Sequence, residues 1–212
     1  MQERTLLQAA ALAAIVAFLS VLVMGFGTGL PADVNAQPGP GPLANFVAVT
    51  NDYHDEVLIF FAGDSLFILS YLIVFVGLYT VSAPSGRSLA LVGMGAGILT
   101  AILDASENAF YITYALSARD GVPLTEPALP LIHILTNLKW MTAFATLYAS
   151  GLLFPRQTVL AWVIAILMLI FPLFGVMGVA NPNLVPWRGL FFLVGMPLFA
   201  AYFGLQARQT TN

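Results

Sequence analysis

Long apolar stretches, divided by short polar segments, make up most of this 212-residue chain. Each stretch is near the roughly 20 residues that an α-helix needs to cross the hydrocarbon core of a bilayer. Apolar and polar residues do not alternate, as they would in the strands of a membrane β-barrel. The pattern predicts an all-α integral membrane protein. We expect one transmembrane domain over residues 1–212, a bundle of about six helices at Thr5–Gly27, Val57–Val81, Ser88–Ser117, Ala128–Phe154, Gln157–Gly178 and Trp187–Ala207.

The chain contains too few charged residues to cover a water-facing surface. They make up 8% of the sequence, against 59% hydrophobic residues, whereas a soluble domain carries about 25% charged residues. The main partner is therefore expected to be the lipid bilayer. A net charge of −3 without a basic run argues against nucleic acid as a partner. The absence of cysteine excludes disulfides, thiolate metal sites and thiol catalysis.

The distribution of basic residues predicts the orientation of the chain. The first outer loop, residues 28–56, has no Lys or Arg. With the N-terminus inside, the inner face carries Arg4, Arg87, Arg156 and Arg208, whereas the outer loops carry Arg119 and Arg188. The positive-inside rule therefore predicts that both termini are cytoplasmic, in a membrane of the bacterial inner (plasma) membrane type. The proline-rich residues 38–42 predict a stiff segment that either caps the bundle or simply links two spans.

Several polar side chains are predicted to lie inside the membrane at a similar depth. Intramembrane ionisable residues cost about 2.5–3.5 kcal/mol each on insertion scales, and they are usually paired and functional. Counted from the outer ends of the second, third and fourth spans, the residues at this depth are Asp64, Asp104, Glu107, Asn108, His133, Asn137 and Lys139. We take them as the candidate residues of a site that binds an ion or a ligand.

Helical spacing places most of these residues on shared faces. On the third span, an i, i+3, i+4, i+7 pattern joins Asp104, Glu107, Asn108 and Tyr111, and on the fourth it joins His133, Thr136, Asn137 and Trp140. Lys139 lies about a third of a turn from the second stripe, but its long stem could bring the ammonium group round.

The second span contributes fewer polar groups to this predicted centre. Asp64 and Tyr71 share one face of that helix, whereas Ser65 points about 100° away from Asp64. Tyrosines are typical of the membrane interface, and we expect Tyr111 and Tyr114 to lie in that belt.

The predicted cluster has more acids than bases. Asp64, Asp104 and Glu107 supply three potential negative charges, and Lys139 supplies one positive charge. Neighbouring carboxylates in a low dielectric do not all stay ionised. Either one or two of them are protonated at pH 7, or His133 is charged, or a cation is bound. Each option makes the cluster an acceptor of a proton or a cation.

Three functions follow from this reading. The first is the binding or movement of a proton, a cation or a small cationic ligand. The second is a structural subunit of a larger membrane complex, in which the same residues tie helices together. The third is a membrane-embedded enzyme acting on a lipid or apolar substrate, with a carboxylate as general base or with His133 and carboxylates around a metal. The sequence identifies no particular metal or cofactor, and it allows a homo-oligomer.

Overall fold

A computed structural model of the chain describes residues 2–31, 34, 36–37, 43–181, 184 and 187–209. Within these residues the fold is entirely helical, without a β-strand. The α-helices are α1 Gln2–Leu22, α2 Leu43–Asp52, α3 His54–Ser82, α4 Arg87–Arg119, α5 Leu129–Leu153, α6 Val159–Ala180 and α7 Trp187–Gln209. A π-helical turn, Val23–Gly27, continues α1, and a 3-10 turn, Ala83–Ser85, links α3 to α4.

Five of these helices are long and apolar enough to cross a membrane. They are α1 with its π-helical turn, α3, α4, α6 and α7. The prediction of an α-helical membrane protein is confirmed at this level. Helix α5 has 25 residues but does not join this group, since it carries Lys139, His133 and Asn137 along its N-terminal half. The count of six spans and the cytoplasmic position of both termini stay predictions.

The long helices form a closed ring. Helices α1, α3, α4, α5, α6 and α7 each pack against the next in this order, and α7 returns to pack against α1. Because short connections join most of them, neighbours in the chain are also neighbours in space. The outer surface of the ring carries large exposed apolar side chains, among them Leu12, Leu69, Val92, Ile102 and Leu173. Such an exterior suits contact with lipid.

Small residues allow α1 and α3 to approach closely. Ala10, Ala14 and Ala17 on α1 are fully buried. A methyl group added to Gly77 of α3 would lie 2.5 Å from the Cβ atom of Ala10 and 3.0 Å from the ring of Phe203. The contact of α1 with α3 and α7 therefore depends on the absence of a side chain at residue 77.

The glycines of α4 divide between two environments. A Cβ atom on Gly93 would lie 3.2 Å from Ala149 of α5, and one on Gly97 would lie 2.6 Å from the ring of Phe75 on α3. Gly95 faces open space, with nothing within 4 Å of its position. Gly93 and Gly97, four residues apart on one helix face, therefore allow the close approach of α5 and α3 to α4.

Helix α2 was not expected from the sequence. It lies in the loop between α1 and α3, and it packs on α4 and α3. Its Phe46 meets the ring of Tyr111 edge-on at 5.9 Å. The Asn51 amide donates to the Leu124 carbonyl at 3.1 Å and accepts from the Leu124 N–H at 2.8 Å. This loop therefore contacts the outer part of the bundle, while the proline-rich residues 38–42 lie outside the described residues.

Substitution of Gly77 by alanine tests the close approach of α1 and α3. Its methyl group would force the helices apart, and we expect a loss of about 1–3 kcal/mol in the free energy of unfolding. Gly95→Ala is the matched control, because its methyl group enters open space and alanine favours helix by up to about 1 kcal/mol over glycine. Unfolding of both variants in mixed micelles gives the comparison. Equal stability of the two would contradict this packing.

Candidate intramembrane polar site

A buried lysine lies between two buried carboxylates of the neighbouring helix. The Lys139 ammonium on α5 donates to Asp104 Oδ1 at 2.6 Å. It also contacts Oε2 of Glu107, which is one turn further along α4. The Glu107 side chain is only 2% exposed. Because residues three apart lie on one helix face, a single ammonium group reaches both carboxylates.

Neutral hydroxyl groups complete the partners of these two carboxylates. Tyr71 on α3 donates to Asp104 Oδ2 at 3.0 Å. Tyr111 and Thr136 both donate to Glu107 Oε1, at 3.2 Å and 2.6 Å. Thus each carboxylate has a contact to Lys139 and at least one hydroxyl donor. Buried ion pairs are tolerable when such additional hydrogen bonds satisfy the remaining lone pairs.

A third carboxyl group, on Asp64 of α3, is placed differently. Its residue is 8% exposed, and its Oδ2 atom is buried without a hydrogen-bond partner among the described residues. The Asn108 side chain of α4 interacts with this carboxyl group and donates to the Ser65 hydroxyl at 3.4 Å. The amide oxygen of Asn108 is also buried and without a partner in the described part of the chain. Two acceptor oxygens here therefore lack a donor.

The ring of helices encloses a cavity of about 370 Å³ beside this group. Asp64, Tyr71, Asp104 and Lys139 form part of its wall. The remaining wall is largely apolar and aromatic, including Phe60, Phe67, Phe75, Phe171, Phe192 and Phe199. A hydrophobic pocket with a few convergent polar groups is the usual form of a small-molecule site.

The structure brings together five of the seven predicted site residues, namely Asp64, Asp104, Glu107, Asn108 and Lys139. It does not bring His133 and Asn137 to this group. Both are exposed on α5, on the side that carries the exposed Ile134 and Leu138.

The predicted facing of α5 is therefore corrected. The side chains that point inward are Ile132, Thr136, Lys139 and Ala143, at i, i+4, i+7 and i+11. Successive residues of a helix point about 100° apart. The predicted inward face of α5 was centred one residue away from the observed one, so it included His133 and Asn137 and left Lys139 at its edge. Lys139 in fact lies on the inward face, and its stem does not have to bend round the helix.

Three hydroxyl residues of the site were not among the predicted site residues. Tyr71 and Thr136 were placed on the correct side of their helices by spacing, but neither was given a role. Tyr111 was expected in the interfacial belt, a position that stays a prediction, and it was given no role in the site, whereas it is 2% exposed and stacks on Phe61 at 4.5 Å. Its position four residues after Glu107, on the acidic stripe, was the available signal.

The described residues do not offer an arrangement typical of a metal site. No group of three or more His, Cys, Asp or Glu side chains among them could hold a metal ion. His54 lies 4.0 Å from Asp55, but both are partly or largely exposed at the start of α3. The chemistry available here is therefore that of an ion-paired carboxylate pair with an adjacent, unpaired carboxyl group.

Replacement of Lys139 by methionine tests the role of the ion pair in the fold. It would leave two buried carboxylates without a counter-ion, and we expect a loss of about 3–5 kcal/mol in the free energy of unfolding. Asn137→Ala, on the exposed side of the same helix, should change stability by less than about 0.5 kcal/mol. Adding Asp104→Asn and Glu107→Gln to Lys139→Met should recover part of the loss, again measured by unfolding in mixed micelles. An unaltered Lys139→Met protein would contradict the assignment.

Comparison with known protein families, with curated proteins and with solved structures finds no match to this chain. A fold alone does not identify a function, which has to be argued from the geometry and chemistry of a site. The polar group beside the central cavity therefore carries the functional argument.

Proposed function

We propose that the protein binds a cation inside the membrane, with Asp64 as the acceptor. The ligand is a small organic cation that enters the central cavity and displaces the proton that Asp64 carries in its absence. The observation that carries this proposal is the buried Oδ2 atom of Asp64, which lines the cavity and has no donor among the described residues.

The balance of charge supports a positive partner for this group. Lys139 supplies one positive charge, and it already contacts Asp104 and Glu107. If Asp64 were also ionised, these four residues would carry a net charge of −2, in a region that is almost fully buried. Uncompensated buried charge is strongly unfavourable. A proton on Asp64 or a cation beside it reduces this cost.

The hydrogen bonds favour Asp64 over the other two acids as the binding group. Asp104 and Glu107 are held by Lys139 and by hydroxyl donors on three different helices. A ligand at either would have to displace those partners. Asp64 faces the cavity with an oxygen still available, and the Asn108 oxygen nearby could accept a second hydrogen bond from an ammonium group.

The lining of the cavity favours an organic cation among possible ligands. Aromatic rings such as Phe60, Phe67 and Phe75 surround the acidic group. The faces of such rings attract cations, particularly when both are shielded from water. The absence of a metal-binding arrangement in the described residues gives an inorganic divalent ion less support.

We also infer the topology that this function requires. Helix α5 lies between α4 and α6 in the ring, and both of those helices are long and apolar enough to cross the membrane. The polar groups that lower its hydropathy include Lys139 and Thr136, and both have buried partners. We therefore propose a bundle of six spans, with both termini in the cytoplasm of a bacterial-type inner membrane.

Cysteine labelling tests this topology directly, because the chain has no native cysteine. Three single variants at exposed positions are suitable, namely Ser85→Cys, Val122→Cys and Gln209→Cys. An impermeant maleimide should label Val122→Cys in intact cells, and should label the other two only after permeabilisation. Labelling of Gln209→Cys from outside would indicate five spans and overturn the proposal.

Binding of benzylammonium, a small aromatic cation with three N–H donors, tests the role of Asp64. Titration calorimetry on the purified protein should detect binding, and Asp64→Asn should weaken it at least about tenfold. Because the cation replaces a proton on the carboxyl group, about one proton should be released per cation bound near neutral pH. Asp55→Asn is the matched control, since Asp55 is an exposed acid at the start of the same helix.

The outcomes separate the candidate functions. Binding with proton release, both lost in Asp64→Asn and kept in Asp55→Asn, supports the cation site. No binding, or binding that Asp64→Asn leaves unchanged, overturns it and favours a structural subunit held together by the Lys139 ion pair. Consumption of a lipid by the purified protein, lost in Asp64→Asn, would instead favour a membrane-embedded enzyme.

A further inference from the structure

A cationic side chain in the wall of the central cavity has no acidic partner. Arg188 lies near the start of α7, and its guanidinium group is 4.5 Å from the centre of the Trp140 ring. One terminal nitrogen donates to the Gly175 carbonyl at 3.4 Å. The Nε atom is buried without a partner, and none of the ion pairs in the described part of the chain involves Arg188. Its charge and several donors therefore remain available to an anion.

A second hollow, of about 410 Å³, lies between α6 and α7 close to this arginine. It is lined by Leu167, Phe174, Leu190, Phe191 and Val194, all of them apolar. Leu167 and Phe191 also line the central cavity. Arg188 contacts the carbonyl of Gly175, which follows Phe174 of this α6–α7 groove. The groove therefore adjoins the cavity wall that contains Arg188.

The α6–α7 groove is accessible from the lipid side of the bundle. Phe174, Leu190 and Val194 are between 37% and 46% exposed on the outer surface of the ring. A molecule dissolved in the bilayer can thus reach the groove without passing through water. The seam between two helices offers room for one extended chain.

We propose that the α6–α7 groove binds a single-chain anionic amphiphile from the bilayer, with its carboxylate or phosphate group held by Arg188. The groove supplies apolar contact for the chain. The guanidinium group supplies several N–H donors in a planar fork that matches a carboxylate or phosphate. Charge complementarity selects this occupant over a hydrophobic helix of another protein, which would bring no anion to Arg188.

The Trp140 ring holds the guanidinium group in position for this role. Stacking of an arginine on an aromatic face restricts its movement while its N–H groups stay free in the plane. The Gly175 carbonyl takes only one of those donors. The remaining donors can therefore bind an anion without displacing either contact. The inference goes beyond the cation site at Asp64 and does not rest on it.

Bromine quenching of tryptophan fluorescence can detect the proposed occupant. 2-Bromododecanoate carries its bromine next to the carboxylate, so its binding at Arg188 brings the bromine close to Trp140. Added to purified protein in a neutral detergent, it should quench the emission of Trp140, which Trp140→Phe identifies. Arg188→Gln should weaken this binding at least tenfold. Arg208→Gln is the matched control, because Arg208 is an exposed arginine at the other end of α7. Arg208→Gln should bind as the wild type does.

Dodecyl phosphate and inorganic phosphate distinguish a membrane amphiphile from a free anion. Dodecyl phosphate should compete with the brominated probe, whereas inorganic phosphate and acetate should not compete at the same concentration. Val194→Phe, which fills the groove without adding a tryptophan and leaves Arg188 in place, should weaken binding of the amphiphile as well. This variant keeps the test valid even if Arg188→Gln is too unstable to purify.

Two results would overturn the inference. One is equal binding of the probe by the wild type and by either Arg188→Gln or Val194→Phe. The other is full competition by inorganic phosphate, which would indicate a site for free anions. Asp64→Asn should bind 2-bromododecanoate normally and lose benzylammonium, so failure of this inference is distinguishable from failure of the cation site.

Discussion

The Lys139 ammonium group, enclosed by two carboxylates, is the interaction on which the arrangement of the polar residues depends. Insertion of a lysine into a membrane helix is costly, and the cost falls when the charge is paired inside the bundle. Asp104 and Glu107 provide that pairing from one face of α4. Their own remaining lone pairs require donors, which Tyr71 on α3 and the hydroxyls near Glu107 supply. One buried charge thus fixes the relative rotation of three helices.

The same network explains why Asp64 differs from the other acids. Once the available donors are directed at Asp104 and Glu107, none of the described residues provides one for Asp64 Oδ2. A purely structural cluster would gain stability if this oxygen were paired or if the residue were apolar. Asp64 instead faces the cavity, where an exchangeable partner could bind. This surplus acid is the reason why we propose ligand binding at Asp64.

The sequence predicted the long helices and the inward face of α4, because the apolar lengths and the polar spacing there allowed only one interpretation. Asp104, Glu107 and Asn108 determine the rotation of α4, since three polar residues within five positions point in one direction. On α5 the polar residues point in two directions, and only a tertiary contact decides between them. Lys139 needs buried acids, whereas His133 can remain on the exposed side. Helix α2 was missed because its 10 residues are too short for the length signal of a span.

An acid and a base line one cavity without forming an ion pair with each other. Asp64 belongs to α3 and Arg188 to α7, and none of the ion pairs among the described residues joins them. Arg188 contacts the Trp140 ring and the Gly175 carbonyl, and Asp64 interacts with the Asn108 side chain. A protonated Asp64 is neutral and does not attract the guanidinium group as a carboxylate would. The proton that we propose on Asp64 thus also explains why the two groups can share a cavity without pairing.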